Sequence, residues 1–329
     1  MQGAEEHFRF RLLNEFQRGF PVVDRPFAAL ASDLQSTEQQ VIEALVGLRT
    51  EGAITRVGAT VRPNTVGAST LAAMSIPLNR LTEITTWLSG FKSVNHSYLR
   101  EDEWNLWFVL AAPDATTLTQ DLRDIATHTA LRVLDLRLIQ PFHIDLGFDL
   151  KGQGPKAQSQ NQADMSALLE SDRPMLHALA QGLTLVPEPY AALAHAIARP
   201  IPDVMARIEA LTTAGIITRL GIIVRHRQLG WQENAMVVWD VPIAAIDEAG
   251  KALACLPGIS LCYQRRTEPD TWPYSLYCMV HARSRADATA VITEAAALPS
   301  LTGVAHKILF STHCYKQTGA NLQRQEIAA

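Results

Sequence analysis

The chain has no uninterrupted apolar run approaching the ~18 residues that a membrane-spanning helix requires. Its start, MQGAEEHFRF, is acidic and lacks an apolar stretch, which argues against a secretory leader. Cysteine is scarce. The four present (Cys255, Cys262, Cys278, Cys314) all lie in the second half, and none forms a C-x-x-C pair. That spacing disfavours a zinc knuckle, and scattered thiols suit a reducing cytoplasm. An excess of positive charge is also missing: 29 Lys and Arg stand against 33 Asp and Glu, for a net charge of −4. Nucleic-acid binders draw much of their affinity from phosphate neutralisation, so this balance counts against DNA as the main partner. What remains is an ordinary globular composition, 47% hydrophobic and 19% charged, in 329 residues, a length that allows about two domains.

Repetition is the strongest internal signal. LRTEGAITRVGATVR (Leu48 to Arg62) matches LTTAGIITRLGIIVR (Leu211 to Arg225), pairing Gly52 with Gly215 at an offset of 215 − 52 = 163. The same offset pairs PFAALA with PYAALA, and Gly67 with Gly230. Between the copies runs KGQGPKAQSQNQADMS, residues 151–166, which is rich in Gly, Gln and Ser and reads as a flexible linker.

Each copy has the same expected layout. Three short helical patterns come first; in the first copy they are Phe8–Gln17, Phe27–Ala31 onward, and Thr37–Glu51. The third opens on a capping box, Thr37 with Gln40, and stops at Gly52. AITRVGATVR then alternates as a β wing. Next come strand, helix, two strands, helix and strand: STLAAMSIPL, LTEITTWLSG, VNHSYL, WNLWFVLAA, ATTLTQDLRDIATH and LRVLDLRLIQPF. That is the βαββαβ order of a ferredoxin-like unit. The expected fold class is therefore α+β: a tandem duplication in which a winged helix-turn-helix precedes a ferredoxin-like, RAM-type domain. The boundaries are 1–66 and 67–150 for the first half, 151–166 for the linker, and 167–229 and 230–329 for the second. This arrangement resembles the Lrp/AsnC proteins. The resemblance implies modules paired face to face around a small-molecule site, here as an internal pseudo-dimer within one chain, with a further homodimer open.

Whether the helix-turn-helix still reads DNA is a matter of charge. Base readout needs Arg, Lys, Asn or Gln on the recognition helix. The first candidate sets Gln39, Gln40 and Arg49 against Glu38, Glu43 and Glu51; the second opens on RPIPD and has Arg207 as its one interior cation. Both read as packing units. The wing arginines Arg56, Arg62, Arg219, Arg225 and Arg227 suit phosphates and other anions equally.

The two halves diverge in the hairpin of the ferredoxin-like unit. The first reads NHSYLREDEWNLWFV, and the second LCYQRRTEPDTWPYSLYCMVHAR. Aligning Asn105 with Ser275 moves the offset to 275 − 105 = 170, so the second loop is longer and His96 falls near Cys262. Divergence argues for one asymmetric site. His96 is a candidate proton donor, because imidazole titrates near neutral pH; its bland counterpart is a hydrogen-bonded strand histidine. Arg100, Arg265 and Arg266 suit carboxylates, since guanidinium pairs with them bidentately. Arg100 beside Glu101, Asp102 and Glu103 also fits a surface ion pair, whereas adjacent Arg265 and Arg266 repel unless an anion joins them. Tyr98, Trp104, Trp107, Trp272, Tyr274 and Tyr277 supply aromatic faces, and Trp107 is balanced between core and wall. Cys262 reads as a packed small residue rather than a nucleophile. His143 and His313 end the last strand of each half at the same offset of 313 − 143 = 170, as a second acid, an iron ligand or solvated strand ends.

HSYLREDEWNLWF resembles the siroheme decarboxylase pattern HNYxRxxxYNLWF, with Trp104 in place of Tyr. CYQRRTEPDTWPYSLYCMVHA resembles the companion pattern CYRRPRxxPxWPYNLFCMIHG, with Thr267 at the expected basic position and Ser275 in place of Asn. FQRGFPVVDRPFAALA and ILFSTHCYKQTGA look like the same family. With both patterns in one chain, the resemblance is to the fused, two-half siroheme decarboxylases of the haem d1 route. It implies removal of CO2 from two acetate side chains of siroheme to give 12,18-didecarboxysiroheme, with no cofactor and no metal beyond the iron of the substrate. It also implies catalysis by His96 and His143. The substrate would be bound by Tyr98, Arg100, Trp104, Trp107, Arg265, Arg266, Trp272, Tyr274 and His313. Two rivals stay open: an Lrp/AsnC-type regulator that binds DNA and a small ligand, and a non-catalytic haem-binding protein.

Overall fold

The computed structural model describes residues 2–144 and 163–321. Most of the linker expected over 151–166 lies outside the described residues; its last residues do not, and there Asp164 N–H donates to Ala214 O at 2.9 Å. The first half runs α1 (Gln2–Glu15), α2 (Pro26–Asp33), α3 (Glu38–Thr50), β1 (Ile54–Val61), β2 (Ala68–Met74), α4 (Leu81–Gly90), β3 (Val94–Arg100), β4 (Leu106–Ala112), α5 (Ala115–Thr129), β5 (Val133–Leu136) and β6 (Leu138–Ile144). The second runs α6 (Arg173–Gln181), α7 (Pro189–Ala196), α8 (Ile201–Thr213), β7 (Ile217–Val224), β8 (Glu233–Trp239), α9 (Ile246–Cys255), β9 (Ile259–Arg265), β10 (Leu276–Ala282), α10 (Arg285–Ala296) and β11 (His306–Gln317). The fold is α+β, a helix-turn-helix plus a ferredoxin-like domain, present twice.

Local rules set the element ends. Thr37 caps α3 through its side chain, and Gln40 closes the box. Gly52 follows at φ +80°, and Gly215 takes φ +70° at the matching place after α8, a region that glycine enters without a steric penalty. The first helix begins earlier than the apolar pattern suggested, at Gln2, because its opening turn is polar.

The wing is not a hairpin within each half. Each half contributes one strand, and β1 pairs antiparallel with β7 across the pseudo-dimer, with Gly58 opposite Gly221. These glycines let the ribbon lie close on the backbone of α6 and of the bend that follows α1. A Cβ on Gly58 would meet Leu179 O at 2.4 Å, and one on Gly221 would meet Gln17 O at 2.2 Å. The two helix-turn-helix units consequently share one core, in which Leu12, Phe27 and Leu45 join Leu176, Tyr190 and Ile208.

The ferredoxin-like modules merge into one nine-stranded sheet of order β5-β2-β4-β3-β11-β8-β10-β9-β6. Each module keeps its own strand order but lends the end of its last strand to the other. β6 pairs with β9, and the second part of β11 pairs with β3. The outer faces carry α4 and α5, or α9 and α10, over separate cores. The inner faces meet in a fourth cluster, where Trp107, Leu134 and Leu136 of the first half contact Met236, Trp272 and Tyr277 of the second. No helix among the described residues is long and apolar enough to cross a membrane.

Candidate active site

Alternation along a strand sends every second side chain to one face. On β3 this puts His96, Tyr98 and Arg100 on the inner face. On β9 the register against β10 makes Leu261, Tyr263 and Arg265 their counterparts: Tyr98 stands opposite Trp107, and Tyr263 opposite Tyr277. The residue matching His96 is therefore Leu261, not Cys262. Cys262 is buried on the outer face, and burial there pushes its thiol well up, which suits packing rather than nucleophilic attack.

The inner faces and the β1–β7 ribbon enclose a cavity of about 390 Å³, within the range of small-molecule sites. Of the residues singled out in the sequence, His96, Tyr98, Arg100, Trp107 and Arg265 line it. Trp107 is both core and wall: it is 1% exposed and packs on Trp272 with ring centroids 5.2 Å apart. The remaining candidates lie elsewhere. Arg266 turns outward and holds Asp135, 2.8 Å from Nη2 to Oδ2, so an internal carboxylate already relieves the Arg265–Arg266 repulsion. Trp272 is buried, donating from Nε1 to Tyr277 Oη at 2.8 Å, and Tyr274 packs edge-on against it. Trp104 is half-buried at the rim of the same cluster. His143 is 3% exposed on β6 opposite Cys262; burial and Arg18 lower its pKa, and its Nε2 has no partner. His313 is exposed on β11 beside Tyr315. Neither His143 nor His313 is part of the wall.

The structure adds residues that the hairpin motifs did not single out. Arg56, Arg62 and Arg219 reach the cavity from the ribbon, and Asn234, Tyr263 and His281 from the sheet. The wing arginines were visible as cations of undecided purpose. His281 was visible as the histidine of CMVHA, but nothing in the sequence pointed it at His96.

Charge in this cavity is one-sided. Five arginines line it (Arg56, Arg62, Arg100, Arg219, Arg265), and no Asp or Glu is among the described lining residues. Burial lowers Arg56 and Arg100 to about 10 and Arg219 to about 9, with Arg18 and Arg56 adding repulsion at Arg219. Nε of Arg56, Arg100 and Arg265 is buried without a partner. Arg100 lies 5% exposed, yet its guanidinium is held in place: Nη1 donates to Leu309 O at 2.8 Å and Nη2 to Asn234 Oδ1 at 3.1 Å. Arg265 mirrors the first of these bonds by donating to Leu136 O at 2.8 Å, and its guanidinium lies 4.5 Å over the Tyr263 ring. His96 is lowered to about 4, first by burial and then by Arg56, and its ring lies stacked beside Tyr98 with centroids 6.5 Å apart. Tyr98 is raised by burial and by Cys314. Such a cavity suits a molecule that carries several anionic groups around an apolar body, and it presents a histidine. No group of three or more His, Cys, Asp or Glu among the described residues is placed to hold a metal ion.

Comparison with known proteins agrees with this geometry. An AsnC-like ligand-binding domain matches residues 66–143 and 228–316, and a siroheme decarboxylase NirDL-like helix-turn-helix domain matches residues 10–54. A siroheme decarboxylase NirDL subunit of Paracoccus denitrificans is 51% identical over 97% of this chain and 98% of its own length. The crystal structure of a siroheme decarboxylase NirDL matches at TM-score 0.67 with 24% identity, covering 95% of this chain and 94% of that one. A co-complex of siroheme decarboxylase NirDL with an iron-uroporphyrin III analogue matches at TM-score 0.66 with 23% identity, over 96% and 94%. With half of its neighbour's residues identical over nearly the whole length, and with both domain types matched, this chain belongs to the siroheme decarboxylase family.

Proposed function

We propose that this protein is a carboxy-lyase that takes siroheme into the cavity between its two halves and removes CO2 from two acetate side chains. The observation that carries this reading is the cavity wall itself: five arginines, two histidines and two tyrosines without a carboxylate among the described lining residues. A polycarboxylated tetrapyrrole supplies the missing anions and a flat surface for the aromatic and aliphatic wall.

The chemistry asks two things of the protein. The bond between the acetate methylene and its carboxyl carbon breaks, CO2 leaves, and the electron pair passes to the methylene carbon, where conjugation with the macrocycle spreads it. That carbon then takes a proton and becomes a methyl group. The arginines orient the side chains that stay. His96 is the donor: it faces the cavity, and no hydrogen-bond partner claims its ring among the described residues. Without substrate, His96 is neutral at pH 7, because burial and Arg56 disfavour its charge. Burial is the larger cause of that shift; substrate carboxylates beside Arg56 would offset the smaller, repulsive part and so favour a proton on His96.

The helix-turn-helix units read as packing elements. Arg207 and Arg199 of the second unit are tied to Asp172, which is fully buried, and Arg25 of the first is tied to Glu38. Specific DNA binding is not expected, and a sequence-specific footprint that survives physiological salt would overturn this part. The test of the whole reading is anaerobic incubation with siroheme and mass analysis of the tetrapyrrole. Successive loss of one and then a second CO2 is expected. Saturable binding with an unchanged mass would instead make this a non-catalytic haem-binding protein, and absence of binding would sink both readings.

A further inference from the structure

Behind the cavity wall, four side chains form one chain of hydrogen bonds. Arg100 Nη2 donates to Asn234 Oδ1 at 3.1 Å; Asn234 Nδ2 stands 2.8 Å from His281 Nε2; His281 Nδ1 stands 2.7 Å from Ser260 Oγ; and Ser260 Oγ donates to Met279 O at 3.1 Å. All four residues are less than a tenth exposed. One assignment of hydrogens satisfies the whole chain. A guanidinium only donates, so Asn234 must turn its oxygen toward Arg100 and its NH2 toward His281. Nε2 of His281 then accepts and carries no hydrogen. The ring's hydrogen sits on Nδ1 and goes to Ser260 Oγ, whose own hydrogen goes to Met279 O. A hydrogen on Nε2 would set two donors face to face at 2.8 Å, inside a buried site where an unmade bond is expensive.

This chain exists in one half only. The strand registers that pair Asn234 with His281 in the second half pair Ser69 with Ala111 in the first, and the place of Ser260 is taken by Asn95. Arg100 and Arg265 each donate to a backbone carbonyl of the other half, Leu309 on β11 and Leu136 at the end of β5, but Arg100 alone has its second nitrogen held by an amide. The buried, unpartnered Nε of Arg100 is one of the hydrogens left for a ligand.

We infer that His281 is a positioning residue and not a second proton donor: with its hydrogen held on Nδ1, it fixes Asn234, and through Asn234 it aims Arg100 at a substrate carboxylate. The inference rests on reading the cavity as a site for tetrapyrrole carboxylates. It leaves His96 as the donor for both decarboxylations, so each acetate in turn must be brought to the same ring. Asn95 and Ala111 could not build such a relay on the other side, which is why Arg265 is held by one bond and Arg100 by two.

Nitrogen-15 NMR of the full chain with labelled histidine tests the assignment without any turnover, the His281 signals being identified by their loss in His281→Gln. The expected pattern is a protonated Nδ1 and a bare, pyridine-type Nε2. A protonated Nε2 would overturn the inference. Asn234→Asp replaces the donor by an acceptor and should shift the ring's hydrogen to Nε2 while setting an internal carboxylate against Arg100. The KM for siroheme should then rise by about 10- to 100-fold with kcat within a few-fold, as for loss of one charge-assisted hydrogen bond. His281→Gln should follow the same split. A kcat loss of ~10²-fold or more in His281→Gln with KM unchanged would make His281 an acid after all. Should Asn234→Asp fail to fold, the wild-type spectrum still decides; should His281→Gln fail, the loss of the same signals in His281→Asn identifies them. Wild-type protein that neither binds nor turns over siroheme would sink the proposed function while leaving the tautomer readable.

Discussion

The two ferredoxin-like halves carry the same frame and different equipment. On β3 the inward residues are His96, Tyr98 and Arg100; on the matching β9 they are Leu261, Tyr263 and Arg265. Tyrosine and arginine are kept in both, and each arginine donates to a backbone carbonyl of the other half. The histidines are not kept. His96 has a leucine for its counterpart, and His281 an alanine. On the proposed reading, anchoring is nearly two-fold symmetric, as suits a macrocycle with acidic groups around its rim, whereas proton chemistry is confined to one side. Duplication supplied the symmetric part at once; the asymmetric part required separate substitution in each copy, which a single chain permits and a homodimer does not.

The most severe way to break this asymmetry is His96→Leu, which makes the first half resemble the second. Turnover should fall by ~10²–10⁴-fold, the usual worth of a general acid, while binding of the iron tetrapyrrole in a Soret titration changes little. An untouched rate would return His96 to the status of a strand histidine. Loss of binding together with an altered iron spectrum would make it an axial ligand.

The same substitution should change acid stability. The folded-state pKa of His96 lies near 4, below its ordinary 6.5. The unfolded chain thus binds the proton more readily, and stability falls as pH drops from about 6.5 toward 4. For this one residue the loss reaches about 3 kcal/mol at pH 4. Denaturant midpoints should fall less steeply with pH in His96→Leu, and Leu261→Ala should leave the slope unchanged.

Arg100→Ala and Arg265→Ala probe the symmetric part. Each should weaken substrate binding by about 1.5–3 kcal/mol, as expected for a charge-assisted hydrogen bond, with kcat less affected than KM. Two very unequal losses would show that anchoring is as lopsided as the chemistry. A smaller effect is expected at Trp272, which the second half buries where the first leaves Trp104 at the rim. Trp272→Phe loses the bond to Tyr277 and some volume, and should cost about 1–2 kcal/mol of stability in a denaturant melt. Trp104→Phe should cost less. The smallest effect belongs to Arg266→Ala. Its ion pair with Asp135 is half-exposed, so stability should change by less than about 1 kcal/mol and the Soret titration should not move. A clear loss of affinity there would place the second hairpin's loop back in the site.

Much was legible in the sequence because it depends on near neighbours along the chain. The fixed 163-residue offset (215 − 52) announced the duplication. Thr37 with Gln40, and Gly52 after them, set the limits of α3. Tertiary structure decided the rest, since strand pairing joins residues far apart in the chain, by rules that a local pattern does not carry. It alone exchanged β6 and β11 between the halves, joined β1 to β7, and so brought Arg56 and Arg219 over the sheet and His281 into the wall with His96. It also separated what the sequence had grouped. Arg265 and Arg266 are adjacent, but adjacency on a strand end sends one side chain inward to the cavity and the other outward to Asp135.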